Sequence, residues 1–258
     1  QKPIGLTSVG EKIIKQAHLI VGESDRIHDI IQQEKGIIGG SFKIGIIPTV
    51  MSTLLPLFLQ TVLKVYSKLE LEIEEMPTQQ IIEHLEKGTL DAGIAATPLD
   101  YEHIDEKPLY FEPFKIYVPL DSKLNKEKNI LPNMLENEIV LLLQDGHCFR
   151  NSALNICKIN HEVPLPFEIK SGSFETLVQL VEEGLGITLL PYLHTRKLSE
   201  KQQLNLKSFE APEPAREVSM IYHQRKLKLH IIEALHDKIR AIIRGAIVYD
   251  DVKIISPK

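Results

Sequence analysis

Between residues 42 and 96 the chain alternates short apolar strands with amphipathic helices, and this alternation constrains the fold more than any other feature. Residues 42–47 read as a buried strand, 53–66 as a helix entered through Pro48 and Thr49, and 70–76 as an alternating strand. Residues 78–87 come next as a helix with Thr78 as its expected N-cap, and 91–96 as a further apolar strand. A βαβαβ order implies a parallel sheet with right-handed crossovers. A second set repeats the theme. Strands are expected at 114–118, 139–143, 167–170 and 187–190, with helices at about 151–159 and at 174–183. Residues 218–222 then return the chain to its first lobe. Residues 226–244 form the last long helix, with Leu229, Ile232, Leu235 and Ile239 on one face.

The fold class is therefore α/β. Two lobes are expected, each a Rossmann-like sheet flanked by helices, with two crossings between them. That is the arrangement of a periplasmic-binding-protein-like domain, which takes ligands in the cleft between its lobes. A helix precedes the lobes. Thr7 or Ser8 can cap it, and Ser8 with Glu11 matches a capping box. Ile13, Ile20 and Ile27 recur every seven residues beside a parallel set of Ala17, Ser24 and Ile31. This stripe suits pairing with another helix, or packing on the chain's own domain. The glycines of 35–40 read as a hinge. The expected division is linker helix and hinge at 1–40, first lobe at 41–112 plus 214–250, second lobe at 113–213, and a frayed polar tail at 251–258.

The net charge is −5, whereas a domain that grips duplex DNA by its own surface is more often basic. The longest apolar runs fall far short of a membrane span, and the first residues lack the pattern of a secretory signal. No membrane partner is expected. Only two cysteines occur, which argues for a reducing compartment, the cytoplasm, and against a disulfide scaffold.

Those two cysteines lie in Gly146-His147-Cys148-Phe149-Arg150-Asn151-Ser152-Ala153-Leu154-Asn155-Ile156-Cys157. Cys148 comes after a strand and precedes a helix. Gly146 allows the tight turn between them, and Asn151 or Ser152 can cap the helix. The helix start, His147 and Arg150 all favour the thiolate, the reactive form. The bland reading of Cys148 is a small buried hydrophobe. Cys157 sits nine positions on. Across an intact helix that spacing spans about 13 Å and points the side chains to opposite faces. A disulfide needs Cα atoms within about 7 Å, so any bridge must unwind the helix between them. Zinc binding by Cys148, Cys157, His147 and His161 matches no common ligand spacing, so no metal and no cofactor are expected. Dinucleotide, Walker and nucleophile-elbow motifs are absent from the sequence.

This segment resembles the redox segment of the OxyR branch of the LysR-type transcriptional regulators, with Phe149 and Asn151 where Leu and Asp are usual. The stretches Ile47-Pro48-Thr49-Val50, Lys87-Gly88-Thr89-Leu90-Asp91 and Gly184-Leu185-Gly186-Ile187-Thr188-Leu189-Leu190-Pro191 resemble more generic parts of the same family. The resemblance covers nearly the whole chain. It implies that Cys148 is the peroxidatic cysteine and Cys157 the resolving one. It also implies that Thr49, Thr78 and His147 line a pocket for hydrogen peroxide and that Arg150 helps stabilise the thiolate. For Thr49 and Thr78 the alternative is helix capping, and for His147 an ordinary turn residue. The resemblance further implies a homodimer, a tetramer at full length, and DNA contact only through a winged helix-turn-helix module preceding this chain. RNA polymerase and a thiol reductant of glutaredoxin or thioredoxin type are the other implied partners. On this reading the chain is a regulator of transcription and not an enzyme. The competing possibilities are a LysR-type domain that binds a small organic effector with incidental cysteines, and an enzyme or transport receptor of the same fold.

Overall fold

A computed structural model describes residues 5–34, 38–157, 169–225, 228–247 and 252–257. Its elements run α1 (Ser8–Glu34), β1 (Gly39–Ile46), α2 (Pro48–Val65), β2 (Lys68–Glu75), α3 (Thr78–Glu86), β3 (Ala92–Thr97) and β4 (Ile104–Tyr117). Then come β5 (Asn129–Ile130), β6 (Val140–Leu141), α4 (Cys148–Cys157), α5 (Phe174–Glu182), β7 (Ile187–Pro191) and α6 (Tyr192–Thr195). The chain ends through α7 (Glu200–Gln203), β8 (Leu206–Phe209), β9 (Glu213–His223), α8 (Leu229–Arg244) and β10 (Val252–Ile254).

The α/β expectation holds, and so do the two lobes. β1 pairs in parallel with β2 and β3, as the βαβαβ reading requires. Beyond β3 the sheet turns antiparallel, because β9 inserts between β3 and β4. β4 accompanies β9 from Ile104 to Pro113, then takes up β7 from Phe114 to Tyr117. β4 and β9 are thus the two crossings. Each lobe has its own buried core. One is built on Phe42, Leu54, Phe58, Ile81, Met220 and Ile239, the other on Phe114, Leu135, Phe149, Leu177 and Leu189.

The 14 residues of β4 exceed the strand read at 114–118. Pro108, Pro113 and the charges among 105–112 imitate a loop. In the structure the pairing register shifts between Pro108 and Tyr110, so the sheet accommodates a proline at an irregularity. α2 starts five residues before the expected 53, with Pro48 in its first turn, where the missing N–H is no loss. Gly39 and Gly40, placed in a hinge from sequence, begin β1; residues 35–37 lie outside the described residues, as does part of the strand expected at 167–170. Residues 169 and 170 are not in a strand.

α1 is capped by Thr7, whose Oγ1 accepts from Gly10 N–H at 3.0 Å, and not by a Ser8–Glu11 box. Its stripe faces outward: Ile13, Ile20 and Ile27 are each more than 60% exposed. Packing on the chain's own domain is thereby ruled out for those side chains. α2 is long and apolar enough to match a membrane span by composition, which a reading of uninterrupted runs passes over. Val50, Leu54, Phe58 and Val62 nevertheless bury in the first core. The tail is not frayed over 252–257. β10 pairs in parallel with the start of β9, and Ile255 N–H bonds to Ala215 O at 2.8 Å.

Candidate functional site

Cys148 is the first residue of α4, not a turn residue ahead of it, so the helix begins three positions before Asn151. Asn151 and Ser152 are accordingly interior and cap nothing. Gly146 holds φ of +91°, a conformation that needs glycine, and it swings the chain out of the segment after β6 into α4. Cys148 is partly buried and packs against the first lobe's core, although its helix belongs to the second lobe. Cys157, nine residues on, is wholly buried in the second lobe's core. Both thiols are free. One intact helix therefore spans from the interlobe seam to the interior of one lobe.

Thr78 and Arg216 act on the Cys148 thiol, and Thr49 joins the group through its bond to Arg216. Thr78 opens α3 and Thr49 lies in the first turn of α2, but the N-cap residues are Pro77 and Ile47. Capping is excluded for both threonines. The Thr78 hydroxyl is buried without a partner of good hydrogen-bond geometry, and it acts on the Cys148 thiol. Thr49 Oγ1 accepts from Arg216 Nη1 at 2.9 Å, which leaves its own hydrogen free to donate. Arg216 is 1% exposed. Its Nε and Nη2 donate to Glu112 Oε2 at 2.9 and 2.7 Å, and its guanidinium lies 5.2 Å from the centroid of the Phe149 ring. Glu112 Oε1 in turn accepts from Leu193 N–H at 2.9 Å. The buried pair is fully engaged, as a buried charge has to be.

The electrostatics depart from the sequence reading. Burial pushes the Cys148 thiol above its ordinary value. Arg216, Thr78 and the backbone N–H groups of Cys148 and Phe149 pull it down without cancelling that effect. Arg216, not His147 or Arg150, is the cation that acts on the sulfur. Burial lowers the His147 pKa, against an opposing influence of Glu75, so the ring is neutral at pH 7. That ring lies against Gly172, where a Cβ would come within 3.0 Å of Nε2. Arg150 pairs with Asp145 at 2.8 Å and donates to Leu143 O at 3.1 Å, which braces the turn instead. Burial pushes the Cys157 thiol up to about 12, which keeps it in the protonated, unreactive form. Among the described residues no three His, Cys, Asp or Glu side chains cluster to hold a metal.

Thr49, Thr78 and Cys148 are thus brought together, with Arg216 completing the group. Sequence reasoning missed Arg216 and Glu112. Each is one of several charges on its strand with nothing local to single it out, and they sit directly opposite one another in the β4–β9 register. Only the register joins them.

Residues 36–243 match the model of the LysR substrate binding domain. A hydrogen peroxide-inducible genes activator of Pectobacterium carotovorum is 30% identical over 239 residues, covering 93% of this chain and 79% of that protein. A full-length OxyR variant from Pseudomonas aeruginosa superposes with a TM-score of 0.77 at 30% identity, covering 92% of this chain and 79% of that one. The chain belongs to the OxyR branch of the LysR family. Another OxyR structure, an H2O2-bound cysteine-to-serine mutant from Corynebacterium glutamicum, matches with a TM-score of 0.74 at 25% identity, covering 93% of this chain and 76% of that one. The outward stripe of α1 begins before the matched LysR domain, and β10 lies beyond its end.

Proposed function

We propose that this chain is the regulatory part of a hydrogen-peroxide-sensing transcription activator, with Cys148 as the oxidised thiol and Cys157 as its resolving partner. The observation that carries this reading is the action of Arg216 and Thr78 on the Cys148 thiol at the interlobe seam, with Thr49 bonded to that same Arg216. In the first step the Cys148 sulfur attacks one peroxide oxygen and the O–O bond breaks. The other oxygen leaves with the developing charge and is protonated to water, while the sulfur becomes a sulfenic acid. Thr49, Thr78 and Arg216 are the donors that stabilise the charge as it develops. His147 lines the same side as a neutral ring, and Gly146 and Arg150 hold the turn that presents the sulfur. Reactivity on this account comes from fixed donors, since burial keeps the resting thiol largely protonated.

In the second step α4 opens and the sulfenic acid condenses with the Cys157 thiol, releasing water. The rebuilt segment is the signal. A dithiol reductant of glutaredoxin or thioredoxin type restores the thiols, so the chain acts once per oxidation and is no peroxidase. The division at 1–40, 41–112 plus 214–250 and 113–213 belongs to this reading, and the two separate buried cores support it. So do a cytoplasmic setting, a homodimer through the α1 stripe, a tetramer at full length, and DNA and RNA polymerase engaged through the whole regulator.

Mass spectrometry of thiol-labelled protein, before and after one equivalent of peroxide, tests the proposal. Fast loss of the Cys148 thiol and then of the Cys157 thiol is the expected result. Unchanged peroxide sensitivity in Cys148→Ser would overturn it. Stabilisation by a small organic molecule with both thiols intact would point to an effector-binding LysR domain instead.

A further inference from the structure

The three polar side chains on one face of α4 all point at the C-terminal tail. Asn151 Nδ2 donates to Pro257 O at 3.3 Å, and Ser152 Oγ and Asn155 Nδ2 each reach Ser256 O at 3.4 Å. These residues lie between the two cysteines, on the helical segment that has to unwind if the sulfurs are to meet. The tail is anchored immediately before these contacts and at Pro257 itself. Val252 and Ile254 pair with Glu213 and Ala215 of β9, and Ala215 is the residue before Arg216. Ile255 packs against the second lobe's core, and Pro257 is buried. The tail therefore ties α4 to the strand that carries the guanidinium acting on Cys148. Ser152 Oγ also reaches Cys148 O at 3.4 Å, so the strapped face extends to the reactive residue.

We propose that residues 252–257 form a positioning strap that holds α4 closed and sets the rate at which the Cys148 sulfenic acid condenses with Cys157. This rests on the reading of the chain as a peroxide sensor. In the condensation the S–O bond of Cys148 breaks and the S–S bond forms, with the hydroxyl leaving as water with the Cys157 proton. Before that can happen, Asn151, Ser152 and Asn155 leave helical positions, and their bonds to the tail break with them. The bonds described for the strap run to Asn151, Ser152 and Asn155 and to the backbone of β9, not to the side chains of Thr49, Thr78 or Arg216, so on this proposal the attack on peroxide keeps its rate and only the later condensation is slowed.

Two variants of the chain test this without altering α4: truncation before Val252, and Ile255→Asp, which expels the anchor while keeping every residue of the tail backbone. In the reduced protein, without peroxide, hydrogen exchange of the 151–157 amides is expected to rise about tenfold, the scale of a few modest hydrogen bonds lost together. With peroxide, loss of the Cys148 thiol keeps its rate within about twofold while disulfide formation accelerates about tenfold. A merely structural tail would move both steps together, and that result overturns the strap. Unchanged exchange in α4 for Ile255→Asp overturns it as well, even if truncation proves too disruptive to fold. If peroxide oxidises neither thiol in any variant, the sensor reading fails, while the exchange measurement still decides whether the tail restrains α4.

Discussion

At the residue scale, the Thr78 hydroxyl stands out because it costs stability where it is. A buried hydroxyl without a well-formed bond carries an uncompensated desolvation penalty. Thr78→Val, which preserves shape, should therefore leave the unfolding free energy within about 1 kcal/mol or raise it. The same change removes a donor at the thiol and should slow oxidation of Cys148 by roughly 10²-fold. Stopped-flow oxidation and urea titration of one protein sample measure both. An equal loss in stability and rate would mean that the hydroxyl is structural. Arg216→Met should behave oppositely. It leaves Glu112 buried without its cation, which costs about 3–5 kcal/mol in the same titration. The likeness of the redox segment singled out Cys148 and Cys157 as candidates, and the wider family resemblance singled out Thr49 and Thr78. Arg216 was not, because an arginine in an apolar strand carries no local mark of what it faces.

At the scale of elements, α4 and α1 show two different limits of sequence pattern. For α4 the nine-residue spacing already separated the cysteines, and the structure adds that they enter different cores. Its start was misplaced because Asn151 and Ser152 look like caps, yet both turn to the tail. For α1 the heptad stripe was correctly seen, but two destinations fitted it equally. Exposure of Ile13, Ile20 and Ile27 leaves a second copy as the occupant this reading favours. Ile13→Glu combined with Ile20→Glu should shift the mass in light scattering toward the monomer. The thermal midpoint of the lobes should stay within about 2 °C, since surface changes away from packed features are usually near neutral. A dimer that persists in this variant would place the interface elsewhere.

On the scale of the whole molecule, half-buried His147 and buried His194 couple stability to pH. Burial lowers the pKa of His147, and also that of His194, which lies between the Glu175 carboxylate and Lys197. Their folded values lie below the unfolded value of about 6.5, so the unfolded chain binds more protons as pH falls. Stability from both groups is full above about pH 7 and is lost as pH drops through about 6.5 toward the folded values. Denaturant midpoints measured at pH 7.5 and 5.5 should fall between the two, and His194→Leu should flatten part of that slope. A midpoint that rises on acidification would contradict the sign. The Phe174 ring, tilted against His194 with centroids 5.0 Å apart and edge-on to Phe149 at 4.9 Å, places this histidine in the same packed row that covers Arg216.

The sequence alone determined the α/β class, the two lobes and their two crossings, because apolar periodicity records which face of each element is buried. It also determined that two thiols nine residues apart on a helix stay apart, because helix geometry depends on spacing alone. The tertiary structure alone decided what surrounds Cys148. Pairing of β4 with β9 sets Glu112 against Arg216, the first turn of α2 brings Thr49 to Arg216, and the start of α3 brings Thr78 to Cys148. Burial then outweighs the cation and raises the thiol pKa, a balance of desolvation against charge that no local pattern encodes. The tail against α4 belongs to the same class. Asn151 and Ser152, which read as caps, became with Asn155 partners of the Ser256 and Pro257 carbonyls, because strand pairing with β9 delivers those carbonyls to them.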